Sequence, residues 1–278
     1  MLEAKVIYVS SGSRYGDGES WETAYTDLQN AIWALEEGDE IWVAKGVYRP
    51  STHNLRLPFM LIKNMRLYGG FEGNETSREE ADPQKNVTVL TGDLKGDDTV
   101  DEFGVTLFCK DRGGEGSNSQ VGVVIIRDAV GVVLDGFVIC GGESEVRGGG
   151  VEVKGNSSAV ISRCVVRGNS APYGAGINIA DNANLTIRDS SIIANEAVGQ
   201  GAFGGGIGIY GDTVVIERCW IAGNSTSSRG GGIGVAEAVA KVMIRDSVIS
   251  GNIAENVGAA IQSWHKDTLF DLTNVTVT

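Results

Sequence analysis

The sequence predicts an all-β chain, a solenoid of short strands wound into a parallel β-helix, and three observations carry that prediction. First, a degenerate repeat of 26 to 29 residues runs through the second half, marked by Asn169, Asn195, Asn224 and Asn252, with Gly142 in the same place one unit earlier. Second, two columns are purely aliphatic. Eight residues before each marker stand Leu134, Ile161, Ile187, Ile216 and Ile244; three before stand Ile139, Val166, Ile192, Ile221 and Ile249. Third, a glycine cluster opens a strand in every unit: GGGVEV from Gly148, GAGINI from Gly174, GGGIGI from Gly204, GGGIGV from Gly230 and GAAIQS from Gly258. A fixed period in this range marks stacked supersecondary units. Apolar and polar residues alternating at period two mark strand rather than helix.

The elements follow in chain order. Lys5 to Val9 alternates as a strand, and residues 10–20 form a Gly- and Ser-rich loop. Trp21 to Leu35 reads as a helix with Ala24, Leu28, Ala31, Ile32 and Leu35 on one face, stopped by Gly38-Asp39. A helix ahead of a solenoid is expected to cap its exposed apolar end. Further strands are expected at Glu40 to Val47, Met60 to Leu67, Val87 to Leu90, Val105 to Cys109, Val121 to Arg127 and Val132 to Leu134. The whole of 1–278 reads as one β-helix domain: 1–50 as N-terminal strand and capping helix, 51–131 as irregular early coils with long loops, and 132–278 as regular repeats, the last incomplete.

Equivalent positions in adjacent coils lie roughly 4.8 Å apart, so each column reads as a ladder. Six before the marker stand Arg163, Asp189, Arg218 and Asp246; one residue earlier stand Ser162, Arg188, Glu217 and Arg245. Opposite charges stacked in this way fix register and do not point to catalysis. Five before the marker, Phe137, Cys164, Ser190, Cys219, Ser247 and Val275 are expected to face inward. Cys164 and Cys219 are two coils, roughly 9–10 Å, apart, too far for a disulfide. Cys140 falls at an outward place and Cys109 outside the repeat, and with no C-x-x-C pair and two histidines, thiolate metal binding is not expected. The marker asparagines sit at strand ends, where Asn tolerates left-handed backbone and can bond its equivalent one coil away, so an inward asparagine ladder is expected.

Net charge is −13, from 23 Lys and Arg against 36 Asp and Glu, which argues against nucleic acid and anionic membranes as partners. No apolar run approaches the roughly 20 residues of a membrane span, so no membrane insertion is expected. Met1-Leu-Glu-Ala does not open a signal peptide.

The segment YVSSGSRYGDGESWETAYTDLQNAIWALEEGDEIWVAKGVYRPS, followed by MRLYGGFEGNETSREEADPQKNVTVLTGD and VVLDGFVICGG, resembles the start of secreted bacterial right-handed parallel β-helix proteins of the pectin-lyase-like superfamily. The later GGGI units resemble the polymorphic outer-membrane-protein repeat. The resemblance spans nearly the whole chain. It implies a right-handed helix, and an extracellular or cell-surface location in a bacterium with a signal peptide removed. It implies no single activity, because the same fold carries lyases, hydrolases, epimerases and adhesins.

In the sugar-active relatives, carboxylates from neighbouring coils converge on one sheet face. Here the outward residues of the glycine-led strands are Glu152 and Lys154, Asn178 and Ala180, Gly208 and Tyr210, Gly234 and Ala236, and Gln262 and Trp264. Glu152 is the one carboxylate among them. Glycoside hydrolysis usually needs two carboxylates, roughly 5–10 Å apart, and a calcium-assisted lyase needs several oxygens around the ion. The candidate carbohydrate-binding set is therefore Glu152, Lys154, Tyr210, Gln262, Trp264 and His265, with Tyr210 and Trp264 as stacking platforms. Asp93, Asp97 and Asp98, with Asp101 and Glu102 nearby, form an acidic loop that reads either as a calcium site or as a solvated stretch. No other cofactor is implied.

A second outward face carries Val138 and Cys140, Val165 and Arg167, Ser191 and Ile193, Trp220 and Ala222, and Val248 and Ser250, an apolar strip that marks an interface unless side loops cover it. Leu272, Val275 and Val277 occupy the eight-, five- and three-before places of a further unit, so Phe270 to Thr278 is expected to dock against further repeats or another molecule, with Trp220 on the adjoining strip. The leading expectation is a non-catalytic extracellular or cell-surface structural or adhesive solenoid, self-associating end to end or binding carbohydrate. The alternative is a polysaccharide lyase or glycoside hydrolase acting on an acidic polysaccharide.

Overall fold

Each coil follows one path, set by where single residues adopt left-handed backbone. In a computed structural model that describes residues 5–14, 16–50, 54, 56–108, 121–236 and 241–278, the strand Ser158–Ser162 bends at Arg163 into Val165–Arg167. The two-residue strand Ser170–Ala171 follows Asn169, and Ile177–Ala180 completes the coil before Asn184–Arg188 opens the next. About eight such turns stack into a parallel β-solenoid. Both arms of the bend join one 15-stranded sheet, the glycine-led strands form a seven-stranded sheet, and the two-residue strands form a four-stranded one. Among the described residues no helix is long and apolar enough to cross a membrane.

The predicted register is observed. Leu134, Ile161, Ile187, Ile216 and Ile244 are partners in consecutive coils, as are Ile139, Val166, Ile192, Ile221 and Ile249. Every one of them is fully buried in a single continuous core. At the corner, Arg163, Asp189, Arg218 and Asp246 have φ near +50°, which turns their side chains out to solvent. Arg218 grips Asp189 in a bidentate pair at 2.6 and 2.8 Å. Arg163 likewise reaches back one coil and pairs with the buried Asp135.

The asparagine ladder is observed with one correction. The Nδ2 groups of Asn169, Asn195 and Asn224 each donate to Oδ1 of the next asparagine at 3.0 Å. The left-handed residue is the one before: Gly168, Ala194, Gly223 and Gly251 have φ between 54° and 62°. That kink swings the following asparagine into the core, so the asparagine itself need not adopt left-handed backbone. A Cβ added at Gly150, Gly176 or Gly206 would lie 2.9 Å from Nδ2 of Asn169, Asn195 or Asn224.

The first half departs from the sequence reading in several places. The helix covers Leu28–Ala34, not Trp21 to Leu35, because the Asp27 carboxylate caps it by accepting from the Gln29 N–H at 2.7 Å. Ahead of it Tyr25 bridges to Val9, and Trp21 packs on Tyr8 and Phe71 with ring centroids 4.8 and 5.7 Å apart. The helix sends Leu28, Ala31 and Ile32 into the main core beside Val6–Val9, Glu40–Ala44 and Phe59–Leu61. The expected strand Glu40 to Val47 is two strands, Glu40–Ala44 and Gly46–Tyr48. Met60 to Leu67 also divides, into Phe59–Leu61 in the glycine-led sheet and Arg66–Phe71 in the long one.

Thr106–Phe108 pairs antiparallel with Thr99–Val100; Cys109 lies outside the described residues. Cys140 keeps its outward place, apart from the main core, but this ribbon covers it: its thiol is fully buried against Val89 and Val105 and accepts the Thr106 N–H at 3.4 Å. The apolar strip is thus covered at Cys140 and open at Trp220 and Val248, both exposed. Leu269–Val277 pairs in parallel with Lys241–Ser250 in the expected register, Ile244 with Leu272, Ser247 with Val275 and Ile249 with Val277. Phe270, Leu272 and Val277 are exposed and Val275 is half-buried.

Candidate functional site

The outer face of the glycine-led sheet is built by a turn that recurs in each coil. Gly148, Gly174, Gly204, Gly230 and Gly258 all have φ between 56° and 70°, a conformation that favours glycine. Each folds the residue before it back over the sheet. Those residues, Arg147, Tyr173, Phe203, Arg229 and Val257, form a ladder of bridges from coil to coil. Beneath them the register runs Glu152, Asn178, Gly208, Gly234 and Gln262. The glycines in that row leave room for rings, and a Cβ at Gly234 would meet the Phe203 ring at 2.6 Å.

The rings and guanidiniums fill that room as one band. Arg147 stacks over Tyr173 and Tyr210, 5.9 and 4.9 Å from their centroids. Tyr210 meets Tyr173 edge-on at 5.9 Å and Phe203 at 5.7 Å; Phe203 meets Trp264 at 5.4 Å; and Arg229 lies 5.1 Å over Trp264. The band crosses five coils, roughly 19 Å at the usual strand spacing. Phe203 is buried as its anchor, while Arg229 and Trp264 are exposed. Chemically it offers flat apolar faces, guanidinium donors and cation–π stacking.

Of the residues singled out from sequence, Tyr210 and Trp264 are joined through Phe203. Glu152 is corrected: it is buried, not displayed, because the Gly148 turn folds onto it, and its carboxylate is taken by Lys154 Nζ at 2.6 Å. Gln262 is half-buried, with Nε2 donating to the Ser263 carbonyl at 2.8 Å. His265 is exposed in the turn after Trp264, where its N–H donates to Ser263 Oγ at 3.3 Å.

The acidic loop lies apart in the early coils. One carboxylate oxygen from each of Asp93, Asp97 and Asp98 falls within 4.8 Å of the others. Asp93 is buried, and its Oδ1 accepts from the N–H groups of Gly96 and Asp97 at 2.8 and 3.1 Å. The Arg49 guanidinium stands 3.9 Å from Asp93 Oδ2, a fixed cation beside the three carboxylates. Oxygen donors suit a hard cation such as calcium, although three carboxylates supply only part of the six to eight oxygens it takes. Asp101 serves its own turn, accepting from the N–H groups of Phe103 and Val105.

Residues 115–277 match the family described as "Right handed beta helix region". The chain belongs to that family. Among solved structures this right-handed β-helix is similar to pectate lyase Pel9A, with a TM-score of 0.58 and 15% identity over 89% of this chain and 54% of that one. It is also similar to Escherichia coli YbhC, with a TM-score of 0.51 and 12% identity over 100% of this chain and 86% of that one. The chain spans about half the length of pectate lyase Pel9A. At such identities the likeness is one of fold. No curated protein matches by sequence.

Sequence reasoning missed Arg147, Tyr173, Phe203 and Arg229. Counted from the asparagine marker they fall at drifting offsets, because the intervening loop varies in length. Counted from the other side, each immediately precedes the glycine cluster of its coil, and that was the signal available.

Proposed function

We propose that this right-handed β-helix is a non-catalytic, glycan-binding structural solenoid of a bacterial extracellular or cell-surface protein. The observation that supports the reading is the guanidinium–aromatic band. Along the solenoid axis Arg147, Tyr173, Tyr210, Arg229 and Trp264 come one from each of five successive coils, so an extended glycan can lie along rings and guanidiniums together. Arg147 and Arg229 concentrate positive charge on one face of a chain whose net charge is −13, which favours an acidic glycan. In this reading the helix Leu28–Ala34 caps the N-terminal end of the core, and Phe270–Thr278 pairs with a further coil, whether of the same protein or of a second molecule.

The test is affinity electrophoresis through gels containing polygalacturonate, xylan or no polymer. Retardation by polymer is expected for the wild type, with at least a tenfold weaker effect in Trp264→Ala, which removes the exposed stacking face. Equal mobility in all gels rejects the reading. The competing reading, a polysaccharide lyase or hydrolase, rests on the likeness to a pectate lyase and on Asp93, Asp97 and Asp98 as carboxylates that could hold calcium. Release of unsaturated or reducing sugars that stops on chelation would establish it instead.

A further inference from the structure

Asn178 sits on the outward face of Ile177–Ala180, paired in register with Glu152 on one side and Gly208 on the other. It is fully buried, and neither its Oδ1 nor its Nδ2 has a hydrogen-bond partner among the described residues. The contrast with the inward ladder is sharp, since Asn169, Asn195, Asn224 and Asn252 each have both amide atoms bonded. A buried amide with nothing to bond destabilises the chain that carries it. Such groups are kept for a reason other than stability.

The neighbours of Asn178 say what the reason is. Its roof is Arg147, which starts one coil before and reaches Tyr210 one coil after, so its side chain spans the coil of Asn178. Among the described residues the guanidinium is held by the faces of Tyr173 and Tyr210 and by no carboxylate. That hold is weak and displaceable. The flanks are glycines. A Cβ at Gly174 would come within 2.7 Å of Asn178 Cβ, and one at Gly208 within 3.3 Å of its Oδ1. Glycine at both places leaves the amide its space.

A carboxamide presents a donor and an acceptor side by side. Two neighbouring hydroxyls on a pyranose ring are its complement: one accepts from Nδ2 while the other donates to Oδ1. The apolar face of the same ring can lie on Tyr210. We infer that Asn178 is a concealed reader of sugar hydroxyls: when Arg147 swings off the tyrosines, the Asn178 amide binds a vicinal diol of a sugar unit stacked on Tyr210. The inference rests on the glycan-binding reading and names the residue that selects within it.

The test uses the full chain with Asn178→Leu and, in case leucine is too bulky, Asn178→Ala. Affinity electrophoresis is run against polygalacturonate, xylan and the same polymers acetylated on their ring hydroxyls, and melting is measured without polymer. Wild type should bind the free polymers and lose at least tenfold on acetylation. Both variants should bind the free polymers at least tenfold more weakly, with at least one melting at or above the wild-type temperature, because an amide without partners is replaced by an apolar group. Variants that bind like wild type overturn the inference and leave the glycan reading standing. Melting several degrees below wild type in both variants also overturns it, by making Asn178 a structural group that bonds a buried water. Wild type that ignores every polymer removes the glycan reading itself.

Discussion

Replacing Asn224 by leucine tests the asparagine ladder at an inner rung bonded on both sides. Asn224 is fully buried. Its Oδ1 accepts from both the backbone N–H and Nδ2 of Asn195 at 3.0 Å, and its Nδ2 donates to the Ile192 carbonyl at 2.9 Å and to Asn252 Oδ1 at 3.0 Å. Leucine is close in size but can do none of this. The Asn195 N–H loses its acceptor and the Ile192 carbonyl a donor, in a place water cannot reach. Leaving a buried polar group unsatisfied costs about 1–3 kcal/mol, so two such groups place the loss at roughly 2–6 kcal/mol. For a chain of this size that is a fall in melting temperature of roughly 5–15 °C. Circular dichroism melting gives the number, and hydrogen exchange at the Asn195 amide locates it. Asn252→Leu is the internal control, expected to lose less because Asn252 is half-buried and starts from solvent contact. An unchanged melting temperature in Asn224→Leu would refute the reasoning.

Two further outcomes follow from the corner and the core. Hydrogen bonding from Arg218 holds the Asp189 carboxyl below its usual 3.8, so the ionised pair adds stability that is present above that pH and lost as pH falls through the lower folded value. Asp189→Asn should therefore flatten the acid limb of the melting profile below about pH 4 and weaken its salt dependence; identical acid limbs would count against the pair. Burial pushes the Cys164 thiol up to about 12 and the Cys219 thiol up to about 11. Neither should react with a disulfide reagent at pH 8 until the protein is unfolded, and labelling of either in the native state within minutes contradicts the inward placing.

The regular coils were legible because their information is local and repeated. A buried strand face forces every second residue to be apolar, and stacking forces the same choice at the same place in each coil, so Ile161, Ile187, Ile216 and Ile244 announce both their burial and their partners. The burial of Cys140 could not be read in this way. Its cover, Thr99–Phe108, arrives from more than thirty residues upstream and has no counterpart in later coils. The helix start was misread for a similar reason: Trp21 and Ala24 fit a helical face, yet Trp21 is claimed by Tyr8 and Phe71. At the candidate site Tyr210 and Trp264 were visible through strand alternation, whereas Arg147 and Phe203 reach the same face from loops whose length is not fixed.

The contact between Gly206 and Asn224 recurs between Gly176 and Asn195 and between Gly150 and Asn169. These boundaries between the later coils are therefore made from the same two parts, one supplied from each side. A lineage that duplicates or deletes one whole coil by unequal recombination meets a familiar surface above and below the seam, and the core closes without new invention. Length becomes an inherited variable separate from fold. The loops before the glycine clusters meet their neighbours through backbone bridges, so their side chains are free to diverge, and a family of this architecture can change what it touches without renegotiating how it stands.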